Sequence, residues 1–594
     1  MIKLCRRQKV ALVAKMASAL SAPLTCPLAP WRRSTTRNHA RCDLEVKERR
    51  SASYHPTIWE TKHIQSFVTP YSYQLHAGRL EELKQITSRS LKTTKDPLLL
   101  LKLIDSTQRL GLRYHFEDEI REAVSLVYQD ETRNDLYTTA LRFRVLREHG
   151  LSVSSDVFDR FRGQDGRFLD GLSNDVNGIL SLYEASHLGM PGEDVLEEAK
   201  SFSSKKLKNS SNERMESHLA KQVQLSMEIP LYWRVPRVEA RNFINLYEID
   251  PTKSPTLLEL AKLDYKLVQS VYQQELKELA SWWTDLGFKE NLEFSRDRLM
   301  ENFLWVMGII FEPHLSKCRI GVTKFVCILT AIDDVYDVYG SSDELESFTH
   351  AVKRWDIDAI NDLPLYMKIC YLAMLNFGND LIYDVLKTHG LDVSPFVMEE
   401  WFNLCSSYLV EARWFYSGYI PTVKQYLENA CISVGGRAGI LHACILGLDL
   451  SISKSSLDCF NHGAELIHWS SLITRLSDDL GTSKDESKRG DVAKAVQCHM
   501  VEKGITEEEA IDHMKELISQ SWKMMNKEII SKNNYSGPNS FVRMCLNMAR
   551  TAQYIFQHGD GIGTSIGVTR DRLDSLIVKP VPMDPYPDQL RQWG

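Results

Sequence analysis

"LLELAKLDYKLVQSVYQQELKELASWWTDL", Leu257 to Leu286, decides the fold. Leu, Val and Trp recur at three-to-four spacing with no Gly or Pro, which is a helical stripe far longer than any strand. Just upstream, "EIDPTKSPTLLEL", Glu248 to Leu260, places two prolines and the capping residues Thr252 and Ser254 ahead of that run. This reads as a domain junction followed by a helix start. Further upstream, Leu98 to Leu103 continues into Ile104, Leu110 and Leu112, and Glu117 to Val127 is amphipathic. Alternating β-branched runs bounded by hairpin turns are hard to find. The expectation is an all-α protein, and no 33- to 47-residue repeat argues for a solenoid. Three segments follow: 1–48, outside the fold; 49–250, an N-terminal helical half; and 251–594, a C-terminal half.

At 594 residues the chain can bury large cores, and its 43% apolar and 25% charged content is that of a globular protein. Its net charge of −6, with no recurring Lys/Arg stripe, gives no nucleic-acid footprint. No apolar run approaches the roughly 18 residues of a membrane span. Phe303 to Phe311 is among the longest, so none is expected.

The first 42 residues contain no Asp or Glu but nine Lys and Arg, in a Ser/Ala/Thr-rich background. That is the composition of an organellar transit peptide, with Met16 as an alternative start. A basic arm without an address has the same composition. Three of twelve cysteines (Cys5, Cys26, Cys42) lie there, and the others are scattered from Cys318 to Cys545 without a C-x-x-C pair. Neither a disulfide framework nor a zinc site is implied; the thiols are expected in the core.

Chemistry concentrates in the second half. "TAIDDVYDVYG", Thr330 to Gly340, brings Asp333, Asp334 and Asp337 to the end of the apolar run Phe325 to Ile332. On a helix Asp333 and Asp337 would lie one turn apart on one face. "RLSDDLGTSKDE" offers Asp478, Thr482 and Glu486, again at four-residue steps. Hard oxygen donors at this spacing suit Mg²⁺, which leaves its other positions to water and phosphate oxygens. Either cluster alone also fits a solvated helix face; the apolar approach and the second cluster favour the metal reading.

Five motifs in order resemble those of plant terpene synthases, from Arg49 almost to the C-terminus. Asp333-Asp334-Val335-Tyr336-Asp337 is similar to the family's D-D-x-x-D motif. Asp478 to Glu486 resembles its second metal motif in the variant beginning with Asp. Arg296-Asp297-Arg298, 35 residues before Asp333, resembles its R-x-R, and Arg475 its diphosphate-contacting arginine. Arg49-Arg50 followed by Trp59 resembles the R-R-x8-W of the monoterpene branch.

The resemblance implies a relictual helical barrel followed by a class I catalytic bundle. It implies a monomer acting on a prenyl diphosphate in the plastid stroma, with three Mg²⁺ ions or Mn²⁺. It assigns Asp333, Asp337, Asp478, Thr482 and Glu486 to metal, with Asp334 and Asp479 supporting them. Arg296, Arg298, Arg475 and Lys494 go to diphosphate, Arg49, Arg50 and Trp59 to an N-terminal lid and isomerisation, and Trp305 and Tyr554 to a cation pocket. Tyr408, Tyr416 and Phe556 are further aromatic candidates, and Gly435-Gly436 a helix break beside the pocket. Ser483 to Asp491 reads as a lid loop or as a solvated charge run.

The implied reaction converts geranyl diphosphate to a monoterpene, with R-R-x8-W favouring a cyclic product, although acyclic producers carry it too. Farnesyl diphosphate is the rival substrate, and an inactive scaffold the rival from another class. A chain-elongating prenyltransferase is disfavoured because the second cluster is not another D-D-x-x-D.

Overall fold

The computed structural model describes residues 49–129, 135–209, 217–447, 460, 463–531, 539–564 and 566–582; side chains at 484–489 and 539 are outside that description. The 1–48 leader therefore lies outside the described residues. Residues from Arg49 onward form one compact unit. Among the described residues the structure is helical, with a single isolated bridge between Arg162 and Phe168.

Thr61–Gln65 (α1) and the 21-residue Tyr73–Thr93 (α2) come first, and after the further helices of the N-terminal half the long run becomes Pro255–Leu286 (α3). Pro255 occupies the first turn, where its missing N–H costs nothing, and the Ser254 side chain caps Leu257 N–H. Gly287 ends the helix at φ 67°, a conformation that glycine adopts without a Cβ penalty. Helix α3 is buried along most of its length. It packs against α1 and α2 and against two C-terminal helices, Leu299–Ile309 (α4) and Ser316–Asp334 (α5). One hydrophobic core runs through both halves because α3 belongs to both.

The C-terminal bundle also includes Ser394–Ser417 (α6), Gly436–Gly447 (α7), Ala464–Arg489 (α8) and Asn539–Phe556 (α9). Val423–Gly447 is apolar and long enough to cross a membrane by length and composition, yet 67% of it is buried in the bundle. It also breaks at Gly435, whose φ of 72° ends the helix Val423–Ser433 before α7 begins. The eight described cysteines are buried.

Candidate active site

The acidic segments converge on a cavity of about 190 Å³. Asp333 and Asp337 line it from one side, Asp478 and Thr482 from α8. The α-helical pattern does not continue through the first motif: α5 ends at Asp334 and Val335–Tyr339 forms a π turn, closed by Gly340 N–H donating to Val335 O at 2.8 Å. Such turns re-aim side chains without ending the hydrogen-bond ladder. Both aspartates still reach the cavity.

Each wall is built around one buried arginine. Arg296 donates to Asp333 Oδ2 at 2.5 Å and pairs with Asp334 Oδ1 at 2.8 Å. Arg475 donates to Asp478 and pairs with Asp479 Oδ1 at 2.8 Å. Burial works against both guanidinium charges, but the neighbouring carboxylates, Asp334 and Asp479 foremost, outweigh it and hold both well above the ordinary arginine value.

Asp334 and Asp479 are fully buried and do not line the cavity. Asp334 accepts from Ser295 Oγ (2.9 Å) and Arg296 N–H (2.8 Å), Asp479 from Tyr426 Oη (3.0 Å) and Ala495 N–H (3.1 Å). Asp337 is different: burial, then the charge of Asp333, push its carboxyl well up, with Lys494 pulling against them. A divalent cation between the walls would remove that penalty.

Lys494 lines the cavity beside Glu411, with Nζ 3.9 Å from its carboxylate. Trp305 forms part of the apolar floor with Phe325, Leu329 and Met548, and meets Phe556 edge-on at 6.0 Å. Tyr408 and Gly435-Gly436 also line it.

Other expected residues are placed elsewhere. Arg298 is fully buried and does not reach the cavity; its guanidinium donates to the carbonyls of His55, Ile562 and Gly563 at 2.6, 2.9 and 2.7 Å. With Asp297 O at 2.8 Å, four backbone oxygens from three separate segments occupy its donors, so R-x-R spacing does not bring both arginines to one place. Tyr554 faces away, with the Arg572 guanidinium 3.7 Å from its ring centre, and Phe556 takes the cavity-facing position. Tyr416 is half exposed and donates to Gly340 O. The side chain of Glu486 lies outside the described residues. The supposed loop after Ser483 is helical to Arg489, and only Gly490, at φ 73°, breaks it.

The N-terminal segment crosses the cavity mouth. Arg49 clasps Glu344 with both guanidinium nitrogens (2.9 and 2.8 Å) and donates to Tyr339 O at 3.0 Å. Arg50 donates to Asp337 O at 2.9 Å and to Asp491 Oδ1 at 2.7 Å, above the Phe415 ring. Trp59 lies farther along, buried and stacked on His63 beside α1.

Sequence reading missed Tyr54, Glu411, Asp491 and Asp560 as lining residues. The ring of Tyr54 sits 5.2 Å from the Arg296 guanidinium. Its nearness to Arg49-Arg50 was the available signal; Glu411 and Asp560 belong to no spaced motif.

Residues 284–524 match the terpene synthase family metal-binding domain, and residues 58–227 the terpene synthase N-terminal domain. The chain belongs to the terpene synthase family. This terpene synthase is 52% identical over 536 residues to the trans-ocimene synthase, chloroplastic, of Litsea cubeba, covering 90% of this chain and 91% of that one. Its fold matches limonene synthase with 2-fluorolinalyl diphosphate at TM-score 0.86 and 40% identity, over 90% of this chain and 100% of that chain. It also matches isoprene synthase from grey poplar leaves, in complex with three Mg²⁺ ions and dimethylallyl-S-thiolodiphosphate, at TM-score 0.81 and 39% identity, over 88% and 99%.

The side chains that the two acid walls of this terpene synthase offer a cation are all oxygen donors, the kind a hard cation takes. No three His, Cys, Asp or Glu side chains among the described residues close into a cage. An open cradle is what a cation sharing its shell with water and phosphate oxygens needs.

Proposed function

We propose that this lyase ionises geranyl diphosphate and releases a monoterpene and diphosphate. The observation that carries the reading is two carboxylate-and-arginine walls meeting over an apolar floor, one for each end of an amphipathic prenyl diphosphate.

Asp333, Asp337, Asp478, Thr482 and Glu486 are the metal donors in this reading, for three Mg²⁺ or for Mn²⁺. When bound, the ions supply Lewis-acid stabilisation of the leaving diphosphate. Arg296, Arg475 and Lys494 donate charge-assisted hydrogen bonds to its oxygens. Asp334 and Asp479 keep those arginines aimed. Trp305, Tyr408 and Phe556 turn aromatic faces to the allylic cation, and the apolar floor keeps water from capturing it. Arg49, Arg50 and Tyr54 cover the mouth. Residues 1–48 act as a plastid transit peptide, in keeping with the chloroplastic relative, and the fold divides near Asp250.

Incubation of residues 49–594 with Mg²⁺ and, separately, geranyl and farnesyl diphosphate tests this, with products read by gas chromatography–mass spectrometry. Ten-carbon products from geranyl diphosphate are expected. Dominant fifteen-carbon products would move the enzyme to the sesquiterpene class, and no turnover by folded protein would favour a scaffold. A second reading concerns the product: the trans-ocimene synthase relative favours an acyclic olefin over the cyclic one that R-R-x8-W suggests. The same chromatogram separates them.

A further inference from the structure

Helix α9 separates two cavities. Met544 and Met548 line the catalytic one, while Arg543, Asn547 and Arg550 line another of about 420 Å³ between the two halves of the chain. Positions 543, 547 and 550 form one stripe of a helix. The facing wall comes from the N-terminal half and includes the turn at Arg113, together with Arg144 and His149.

Seven arginines and only four carboxylates line this second cavity. The carboxylates are taken: Arg144 pairs with Asp105 (2.7 Å) and Glu148 (3.2 Å), Arg109 and Arg234 share Glu239 (2.8 and 2.6 Å), and Arg543 pairs with Glu117 (2.8 Å). Arg121 pairs outside it with Asp118 at 2.9 Å.

Two guanidiniums remain without a carboxylate. Arg550 donates only to neutral oxygens, Tyr232 O at 2.7 Å and Asn547 Oδ1 at 3.0 Å. The Arg113 guanidinium makes no hydrogen bond or ion pair with the described residues. Its charge is opposed by burial and then by Arg543, which lower it to about 10. His149 adds neither charge nor relief: burial, then Arg113, hold its imidazole down to about 3, with Nε2 2.6 Å from Gln108 Oε1.

A cation partly withdrawn from water without a counter-charge is costly. Here two half-buried guanidiniums line one cavity, one from each half of the chain. A single-charge carboxylate can satisfy one guanidinium fork; a tetrahedral dianion has oxygens for both. We propose that this cavity binds a phosphate-class anion, orthophosphate or diphosphate, between Arg113 and Arg550, with Arg543 at its edge.

Titration calorimetry of the full chain in EDTA at constant ionic strength tests it, using sodium phosphate in one arm and sodium diphosphate in the other. One saturable site is expected. Arg113→Gln and Arg550→Gln are each expected to weaken it at least tenfold, Arg113→Lys less, and Lys494→Gln in the catalytic cavity not at all. The tighter arm assigns the anion. No saturable binding overturns the proposal, as does binding that survives both glutamines or disappears with Lys494→Gln. A melting-temperature readout keeps the variants interpretable. Phosphate should raise the wild-type value and leave Arg113→Gln unmoved, and Arg113→Gln without phosphate should melt no lower than wild type. Should that variant fail to fold, Arg550→Gln carries the same titration.

Discussion

Arg296 and Arg475 make the same contact twice. Each reaches two consecutive aspartates, one lining the catalytic cavity (Asp333, Asp478) and one wholly buried behind it (Asp334, Asp479). Arg296 lies in the loop just before α4 and Arg475 within α8, distant parts of the chain, yet the two arrangements are alike. In the proposed reading, acids that accept cations are held in place by one arginine that also presents donors to an anion.

The front and rear aspartates should therefore fail differently. Asp333→Ala is expected to cut turnover at least a hundredfold with little change in melting temperature, since Asp333 is partly exposed. Asp334→Ala leaves a buried guanidinium short of its main partner and is expected to cost about 3–5 kcal/mol of stability. Denaturant unfolding beside steady-state rates separates the two. Equal melting for both would show that Asp334 does not hold Arg296.

Arg298 should act on structure rather than on the leaving group. Arg298→Ala strands four carbonyls, each worth about 1–3 kcal/mol when buried and unsatisfied, so a lowered melting temperature is expected. Arg296→Lys, which keeps the charge but loses the fork, should instead lower kcat and also cost some stability through the buried Asp334. If Arg298→Lys matches wild type in both rate and melting, the carbonyl contacts are dispensable.

The strap over the cavity hangs on Arg50 and Asp491. Arg50→Ala and Asp491→Ala should each slow turnover of geranyl diphosphate, and the double variant should be no slower than the worse single one. A coupling of about 0.5–3 kcal/mol is the range for residues in direct contact. Additive losses would mean that the two act separately.

Arg49 provides a pH handle. Burial opposes the Glu344 charge, but hydrogen bonds from Arg49 and Ser341 prevail and lower its pKa from 4.5 to about 2. A depressed carboxylate stabilises the fold fully above its unfolded pKa, and that contribution is lost as pH falls through the folded one. Melting temperature should thus drop between pH 4.5 and 2 more steeply in wild type than in Glu344→Gln. Parallel curves would mean that the clasp adds nothing.

Metal removal is the simplest check. Excess EDTA should abolish turnover, Mg²⁺ should restore it, and Asp478→Ala should need a higher Mg²⁺ concentration for half-maximal rate. Turnover unaffected by EDTA would sink the Lewis-acid reading.

The helical class of the fold was legible because helical periodicity is local: α3 can be read from its own residues, caps included. The two acid clusters were legible for the same reason, since spacing along one segment largely determines which donors share a direction. Even there the sequence concealed the π turn at Val335–Tyr339, because straight helical geometry was the only ruler available. What the sequence could not decide is which side chains reach the cavity when neighbours compete. Arg296 reaches it and Arg298 is occupied by four carbonyls; Phe556 faces it and Tyr554 turns to Arg572; Tyr54 enters from hundreds of residues upstream. Those outcomes depend on where distant segments meet and on which buried donor finds which acceptor. Local pattern determined the elements and the acids, and only tertiary packing selected the arginines and rings that share their cavity.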